Sequence, residues 1–226
     1  MRSLFLEVAL GLGVLSFTGI AAGQAAPSSP ASQPNPVDQL LDAAKKGDTA
    51  MVEQLLEKGV AVDSRGNGNL SALIVAAASE KPEMVQLLLN KGASPDLKDS
   101  RGDTALHFAV MTGNIGEAKL LLDKGANVNV QEEAGLTPLM FAVVSHSLDL
   151  VKLLLDKGAK TNTGDIHGFT ALMGASGGGL IDIVKALLDK GANIDAESTD
   201  GTTALKLAEK NGKTEVAAFL REKGAH

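Results

Sequence analysis

One spacing of 33 residues organises most of this chain. Glycine ends a Leu-rich segment six times at that interval, glycine precedes a Ser/Thr-x-Leu phrase four times, and alanine recurs six times. The three series are Gly59, Gly92, Gly125, Gly158, Gly191 and Gly224; Gly102, Gly135, Gly168 and Gly201; and Ala43, Ala76, Ala109, Ala142, Ala175 and Ala208. Three series in one register are typical of a repeat protein, in which copies of a short unit stack along a line.

Each unit carries start and stop signals for two short helices. Thr137 is a good N-cap, because its hydroxyl accepts from free backbone N–H groups, and Pro138 fits the first helical turn. A second helix carries the Leu run at residues 151–157, and Gly158 follows where a left-handed residue commonly ends a helix. A segment such as 126–129 then leads into a hairpin turn. The pattern predicts an all-α stack of helix–turn–helix units joined by short hairpins.

The repeated phrase resembles the motif of the ankyrin repeat family. Residues 102–109, Gly-Asp-Thr-Ala-Leu-His-Phe-Ala, differ at one position from Gly-x-Thr-Pro-Leu-His-x-Ala, and residues 135–142 also differ at one. Segments 125–129 and 191–195 supply the Gly-Ala-x-Val-Asn type of ending. The resemblance implies an ankyrin-repeat solenoid of about six repeats, including caps, with units at 37–65, 66–98, 99–131, 132–164, 165–197 and 198–226.

Departures from the motif are local. Asn69 replaces the turn glycine in the second unit, His146 replaces a helix-end glycine, and Gly174 and Gly177 to Gly179 are expected to loosen the fifth unit. The two end units are expected to be caps, because the first lacks the Thr-x-Leu phrase and both place charged residues outward. We therefore expect the array to fill residues 37–226 without a second domain.

The N-terminal segment differs from the repeats. Arg2 precedes an apolar stretch over residues 4–22, and small residues follow at 21–26, which is the order of a secretory signal peptide. We predict a signal peptide at residues 1–25, cleaved after Gly23 or Ala25, and a Pro/Ser-rich linker at 26–36. An uncleaved membrane anchor is the alternative. The prediction is export, with the periplasm favoured over secretion or N-terminal anchoring.

Composition argues against several classes of function. The formal net charge is −6 and no basic stripe occurs, which disfavours nucleic-acid binding. There is no cysteine, so disulfides, thiol nucleophiles and Cys-type zinc sites are excluded. The register spreads the four histidines apart, and His107 occupies the motif's usual histidine position, where the resemblance implies a structural bond to the Thr and hairpin network. We predict no enzyme, no catalytic residue, no metal and no cofactor.

The resemblance also implies where a partner binds. Ankyrin arrays generally dock partners on the concave side, which consists of the hairpin tips and the first helices. Leu136, Ile166 and Phe169 are apolar residues at neighbouring tips, which is the composition of an interface hot spot, although packing onto the adjacent hairpin is an equal alternative. The predicted partner-binding residues are Arg101, Asp103, Met111, Thr112, Glu133, Leu136, Val144, Ser145, Ile166, His167 and Phe169.

These features together favour a protein–protein interaction module. We expect a monomeric scaffold or adaptor in the cell envelope that binds another protein non-covalently and contacts no nucleic acid, and no membrane beyond the export signal. A secreted effector acting on a host protein is the alternative, and an enzyme is a third class for which the repeats leave no unassigned segment. Fold resemblance alone does not identify the partner.

Overall fold

The computed structural model describes residues 35–226, and these residues form six pairs of short helices. A short 3-10 turn, Asn67–Asn69, lies in the hairpin that joins the first and second units. The helices are α1 Pro36–Lys46, α2 Thr49–Glu57, α3 Ala72–Ala78, α4 Pro82–Asn90, α5 Ala105–Met111, α6 Ile115–Asp123, α7 Pro138–Val144, α8 Leu148–Asp156, α9 Ala171–Gly178, α10 Ile181–Asp189, α11 Ala204–Lys210 and α12 Thr214–Glu222.

The helix pairs stack side by side in sequence order. The first helices α1, α3, α5, α7, α9 and α11 pack on one another, and each also packs on the second helix of its own pair. From α4 onward the second helices form a parallel row. All six members of the alanine series are buried, so neighbouring first helices approach closely. One apolar core of small aliphatic side chains therefore runs the length of the array, as the period predicts.

The predicted caps are present at the start of the first helices. The Thr137 hydroxyl accepts from the backbone N–H of Met140 at 3.4 Å, and the Ser or Thr at the equivalent position in the second, fifth and sixth units makes the same bond. In the third unit, His107 Nδ1 accepts from the backbone N–H of Thr104 at 3.1 Å. The structural role expected for His107 is confirmed.

The chain enters the array slightly before the predicted boundary. Asn35 and Pro36 belong to the predicted linker, but Asn35 is the N-cap of α1, with its side chain accepting from Val37 N–H at 3.0 Å, and Pro36 is the first helical residue. Proline fits there because its missing N–H would have no helical partner. The signal peptide and the rest of the linker lie outside the described residues. None of the helices within residues 35–226 has the length and apolar character needed to cross a bilayer.

Hydrogen bonds at the repeat interval tie each unit to the next. One set uses an Asp or Asn oxygen that accepts from a backbone N–H 31 residues later, as in Asp96 to Asn127 at 2.7 Å and Asn129 to Lys160 at 2.7 Å. The set recurs at all five junctions, from Asp63 to Asp195. A second set joins successive hairpins through the backbone, for example Glu133 N–H to Arg101 O at 2.9 Å. The junctions are therefore specified by polar groups as well as by apolar packing.

Among residues 35–226, three residues other than glycine have positive φ, and all three occupy a glycine position of the repeat. Asn69 (φ 60°) stands at the hairpin turn, which confirms its predicted role, and Glu80 (φ 53°) and His146 (φ 55°) stand between the two helices of their units. The equivalent residues in the other four units are glycines with positive φ. Any side chain has a steric cost in this conformation that glycine avoids, and the cost is smallest for asparagine. In the fifth unit, α9 runs through Gly174, Gly177 and Gly178 without interruption.

Relief of this strain gives the first prediction. We expect His146→Gly to raise the free energy of unfolding by about 1 kcal/mol, because glycine adopts the left-handed region without steric cost. The matched change is Gly113→Ala at the equivalent site (φ 76°), where a Cβ would meet no atom within 4 Å and only the backbone conformation is penalised. Gly113→Ala should lower stability by a similar amount in urea unfolding. A change of the same sign in the free energy of unfolding of both variants would contradict this account.

Candidate partner-binding face

The hairpin tips and the exposed positions of the first helices form one side of the array, which we call the hairpin face. Each tip is closed by a backbone bond, such as Asp165 N–H to Phe169 O at 3.0 Å. Neighbouring tips are then joined by the inter-unit backbone bonds, including Ile166 N–H to Ala134 O at 3.0 Å. The backbone of this face is therefore fixed both within each tip and between neighbouring tips, and its side chains project from a rigid framework.

In the third unit the tip is organised around a buried carboxylate. Asp99 Oδ1 accepts from the backbone N–H groups of Arg101 (2.8 Å) and Asp103 (2.9 Å), which fixes the turn. The Arg101 guanidinium is exposed and lies 3.1 Å from the Asp103 carboxylate. Burial raises the pKa of Asp103 to about 6, and Arg101 opposes that rise. Asp103 therefore positions Arg101, which is the group of this pair that a partner can reach.

In the fourth unit the structure corrects one of the predicted anchors. Leu136 is only 7% exposed and belongs to the apolar core. Its backbone N–H donates to Glu132 Oε1 at 2.8 Å, and this bond closes the turn with the side chain directed inward. Of the two alternatives for Leu136, packing is the one observed. Glu133 remains exposed on the tip, beside the partly exposed Ala134.

In the fifth unit the tip carries the most exposed large apolar side chain of the described chain. Ile166 is 63% exposed, although its backbone is bonded to the preceding tip. Asp165 Oδ1 accepts from the N–H groups of His167 (2.8 Å) and Phe169 (2.9 Å), so the turn matches that of the third unit. His167 is exposed, and Phe169 is partly buried against the core. Ile166 is thus a rigidly mounted apolar group in solvent.

The first helices add partly exposed apolar groups to the hairpin face. Met111 and Val144, two of the predicted partner-binding residues, are half-buried. The hydroxyls of Thr112 and Ser145 donate to backbone carbonyls of their own helices. Sequence reasoning missed Phe141, which is partly exposed and packs edge-on against the His107 ring, with centroids 5.3 Å apart. Its signal was the register, because it lies three residues before Val144 on the same helix face.

The fifth unit has glycine at the helix positions where its neighbours carry these side chains. Gly174 is equivalent to Phe141, and Gly177 is equivalent to Val144. On the other side, Asn211 of the sixth unit donates from Nδ2 to the Gly177 carbonyl at 2.9 Å. A Cβ on Gly177 would come within 3.3 Å of that amide nitrogen. The fifth unit therefore presents no side chain at these two positions of α9, and Asn211 of the sixth unit covers Gly177.

Within the described residues, no group of three or more His, Asp or Glu side chains is arranged to hold a metal ion. His107 is buried, and burial lowers its pKa to about 4, so its ring is neutral at pH 7. Its Nδ1 is already engaged with Thr104, so His107 serves the repeat structure.

Stacked helix pairs joined by hairpins define the chain as a helical repeat solenoid. The family model for ankyrin repeats matches in three copies, at residues 32–99, 78–165 and 161–226. This protein belongs to the ankyrin repeat family. Ankyrin repeats generally mediate protein–protein binding, and the fold is typically a non-enzymatic interaction module.

Solved structures of similar chains come from two bacteria. An ankyrin repeat domain from Acinetobacter baumannii is 28% identical, with a TM-score of 0.77, over 83% of this chain and 98% of that one. A chain from the complex of the predatory endopeptidase Bd0816 with immunity protein Bd3460 of Bdellovibrio bacteriovorus is 30% identical, with a TM-score of 0.73, over 82% and 97%. No curated protein sequence matches significantly. Since 647 structural chains match, the fold alone does not define a partner.

The contrast between the two tip residues is testable by stability alone. We expect Leu136→Ser to lower the free energy of unfolding by about 2–3 kcal/mol, because it removes buried apolar volume and buries a hydroxyl. Ile166→Ser should change it by less than about 0.5 kcal/mol, because the side chain is already in water. Chemical denaturation of both variants measures the difference. A large loss for Ile166→Ser would show that this side chain is packed.

Proposed function

We propose that the array binds a partner protein non-covalently through the hairpin face, with the fourth and fifth units at the centre of the contact. The observation that carries the proposal is Ile166, a large apolar side chain exposed on a tip whose backbone is fixed. An exposed aliphatic group has no stabilising role in the free protein, whereas desolvation on binding is favourable. Apolar anchors surrounded by charged groups are the usual composition of an interface hot spot.

The surroundings of Ile166 support this assignment. Phe169 is partly buried on the same tip, and Val144 and Phe141 are partly exposed on the first helix of the fourth unit. Arg101 and Glu133 provide charges of opposite sign on the neighbouring tips. We infer that a partner packs an apolar side chain against Ile166 and pairs its own charges with those of Arg101 and Glu133. Since the tips are already bonded to one another, docking orders few groups and costs little conformational entropy.

One of the similar structures favours an enzyme as the partner of this array. A chain of this fold occurs in the complex between an endopeptidase and an immunity protein. A scaffold, adaptor or protective partner for another envelope protein is therefore the role we propose. An effector that binds a host protein after secretion is the second candidate, and it would use the same face.

Compartment forms a separate part of the proposal. The N-terminal order of Arg2, apolar stretch and small residues supports export with cleavage after Gly23 or Ala25. The adaptor role requires retention in the envelope, whereas the effector role requires release into the medium.

Partner capture tests the face. We expect Ile166→Ser to weaken binding of the protein recovered by in-cell crosslinking and mass spectrometry at least tenfold, because a central apolar anchor is lost. Met51→Ser is the matched control, since Met51 is also an exposed apolar residue (38%) but lies on the second helix of the first unit. Both variants should melt like the parent protein. The assignment of the face would be refuted if both variants lost binding equally, or if neither variant lost binding.

Cell fractionation tests the compartment. We expect the protein in the periplasmic fraction, with a mature N-terminus at Gln24 or Ala26 by mass spectrometry, and a variant lacking residues 2–25 should stay in the cytoplasm. Recovery of the mature chain from culture supernatant would favour the effector role. An uncut chain in the membrane fraction would instead support the anchor.

A further inference from the structure

A carboxyl group occupies a core position in the third unit. Glu117 is the third residue of α6 and only 1% exposed. The residues at the same register position in the other units are all apolar: Met51, Met84, Leu150, Ile183 and Val216. Four of these five are buried. The stack therefore contains one ionisable group in a row otherwise built from aliphatic side chains and methionine.

The hydrogen bonds around Glu117 satisfy only part of this carboxyl. Asn114, the N-cap of α6, accepts from the Glu117 backbone N–H at 3.1 Å and donates from Nδ2 to Oε2 at 3.4 Å. Oε1 is buried and has no hydrogen-bond partner among residues 35–226. A charged oxygen without a partner in an apolar environment is strongly unfavourable, so the neutral carboxylic acid fits this site better than the carboxylate.

The electrostatic surroundings act in the same direction. Burial, with a smaller contribution from the negative charge of Glu80, raises the pKa of Glu117 to about 7. Glu80 adopts the left-handed conformation two residues before α4 begins. Other ionisable groups lie on or next to α6 and the two helices that pack against it. Five of them are Lys81 just before α4, Glu83 in α4, His146 just before α8, Asp149 in α8, and Lys119 in α6. None of these five contributes to the shift, so no cation offsets the effect of Glu80.

We propose that Glu117 makes the third unit a pH-sensitive junction: its protonated form lets α6 pack between α4 and α8, and its ionised form loosens that packing near neutral pH. The inference concerns the array itself and does not depend on the identity of a partner. It has a consequence for the hairpin face, because the third unit also carries Arg101, Met111 and Thr112. Loosening this unit would reduce the rigidity of the face where two halves of the array meet.

The direction of the pH effect follows from linkage. Since the folded-state pKa lies above the ordinary value of 4.5, the Glu117 contribution to stability is complete below pH 4.5 and is lost as the pH rises through 7. Asp103, with its pKa near 6, acts in the same direction. His107 acts in the opposite direction, because its lowered pKa makes stability fall as the pH drops from 6.5 towards 4. The Glu117 effect must therefore be isolated by substitution.

The experiment measures unfolding of the full-length protein between pH 5 and pH 8. For the Glu117 site alone, linkage predicts that the unfolding equilibrium constant rises roughly fifty- to hundredfold over this range. Glu117→Gln, a neutral near-isostere, and Glu117→Leu, the apolar type found in the other units, should both remove this part of the pH dependence. Glu83→Gln is the matched control on exposed α4 surface and should retain it.

A local readout separates the junction from a general pH effect. Hydrogen exchange of backbone amides at residues 114–121, corrected for the intrinsic rate, should speed up from pH 5.5 to pH 8 in the parent and the Glu83→Gln protein but not in Glu117→Gln. Glu80→Gln should move the midpoint of the change to lower pH. The proposal is overturned if Glu117→Gln keeps the parental pH dependence, or if infrared spectra show the Glu117 carboxylate already ionised at pH 5.

Discussion

Contacts between each residue and its counterpart about one repeat later hold this protein together. A single pair of short helices cannot bury its apolar side, so every pair depends on its neighbours for a core. The Asp and Asn acceptors that bind backbone N–H groups 31 residues onward fix the position of each unit on the last. The backbone bonds between hairpins extend the same register to the tips. Stability is therefore distributed along the array, junction by junction.

The surface properties follow from this arrangement. A junction that fixes the backbone of the tips leaves their side chains free to serve another purpose, and Ile166 is the clearest example because it is exposed while its N–H is bonded to Ala134. The same junctions make the array sensitive to any group that fits them poorly. Glu117 is such a group, since it introduces an ionisable oxygen where the other units place apolar side chains. The proposed binding and the proposed pH response thus depend on the same stack.

Much of the fold could be predicted from the sequence, because the repeat interval, the capping Thr residues and the helix-ending glycines are local signals that recur in register. His107 was predicted correctly for the same reason. Leu136 and Ile166 show the limit of this reasoning: both are apolar residues at neighbouring tips, yet one is buried and the other exposed. The difference depends on their place within the turn, since Leu136 closes it against the core whereas Ile166 sits at its apex. The carboxyl group of Glu117 could have been noticed by comparing equivalent positions of the units. That its Oε1 is buried without a hydrogen-bond partner could be seen only from the three-dimensional packing.

Site-specific photocrosslinking in living cells tests the central claim most directly. A photoreactive amino acid at position 166, on the hairpin face, is compared with one at position 152, where Lys152 is exposed on the second helix of the fourth unit. The account predicts that position 166 yields a discrete crosslinked protein and that position 152 does not. A crosslink confined to position 152, or an absence of protein crosslinks at position 166 in cells that produce the array, would contradict it.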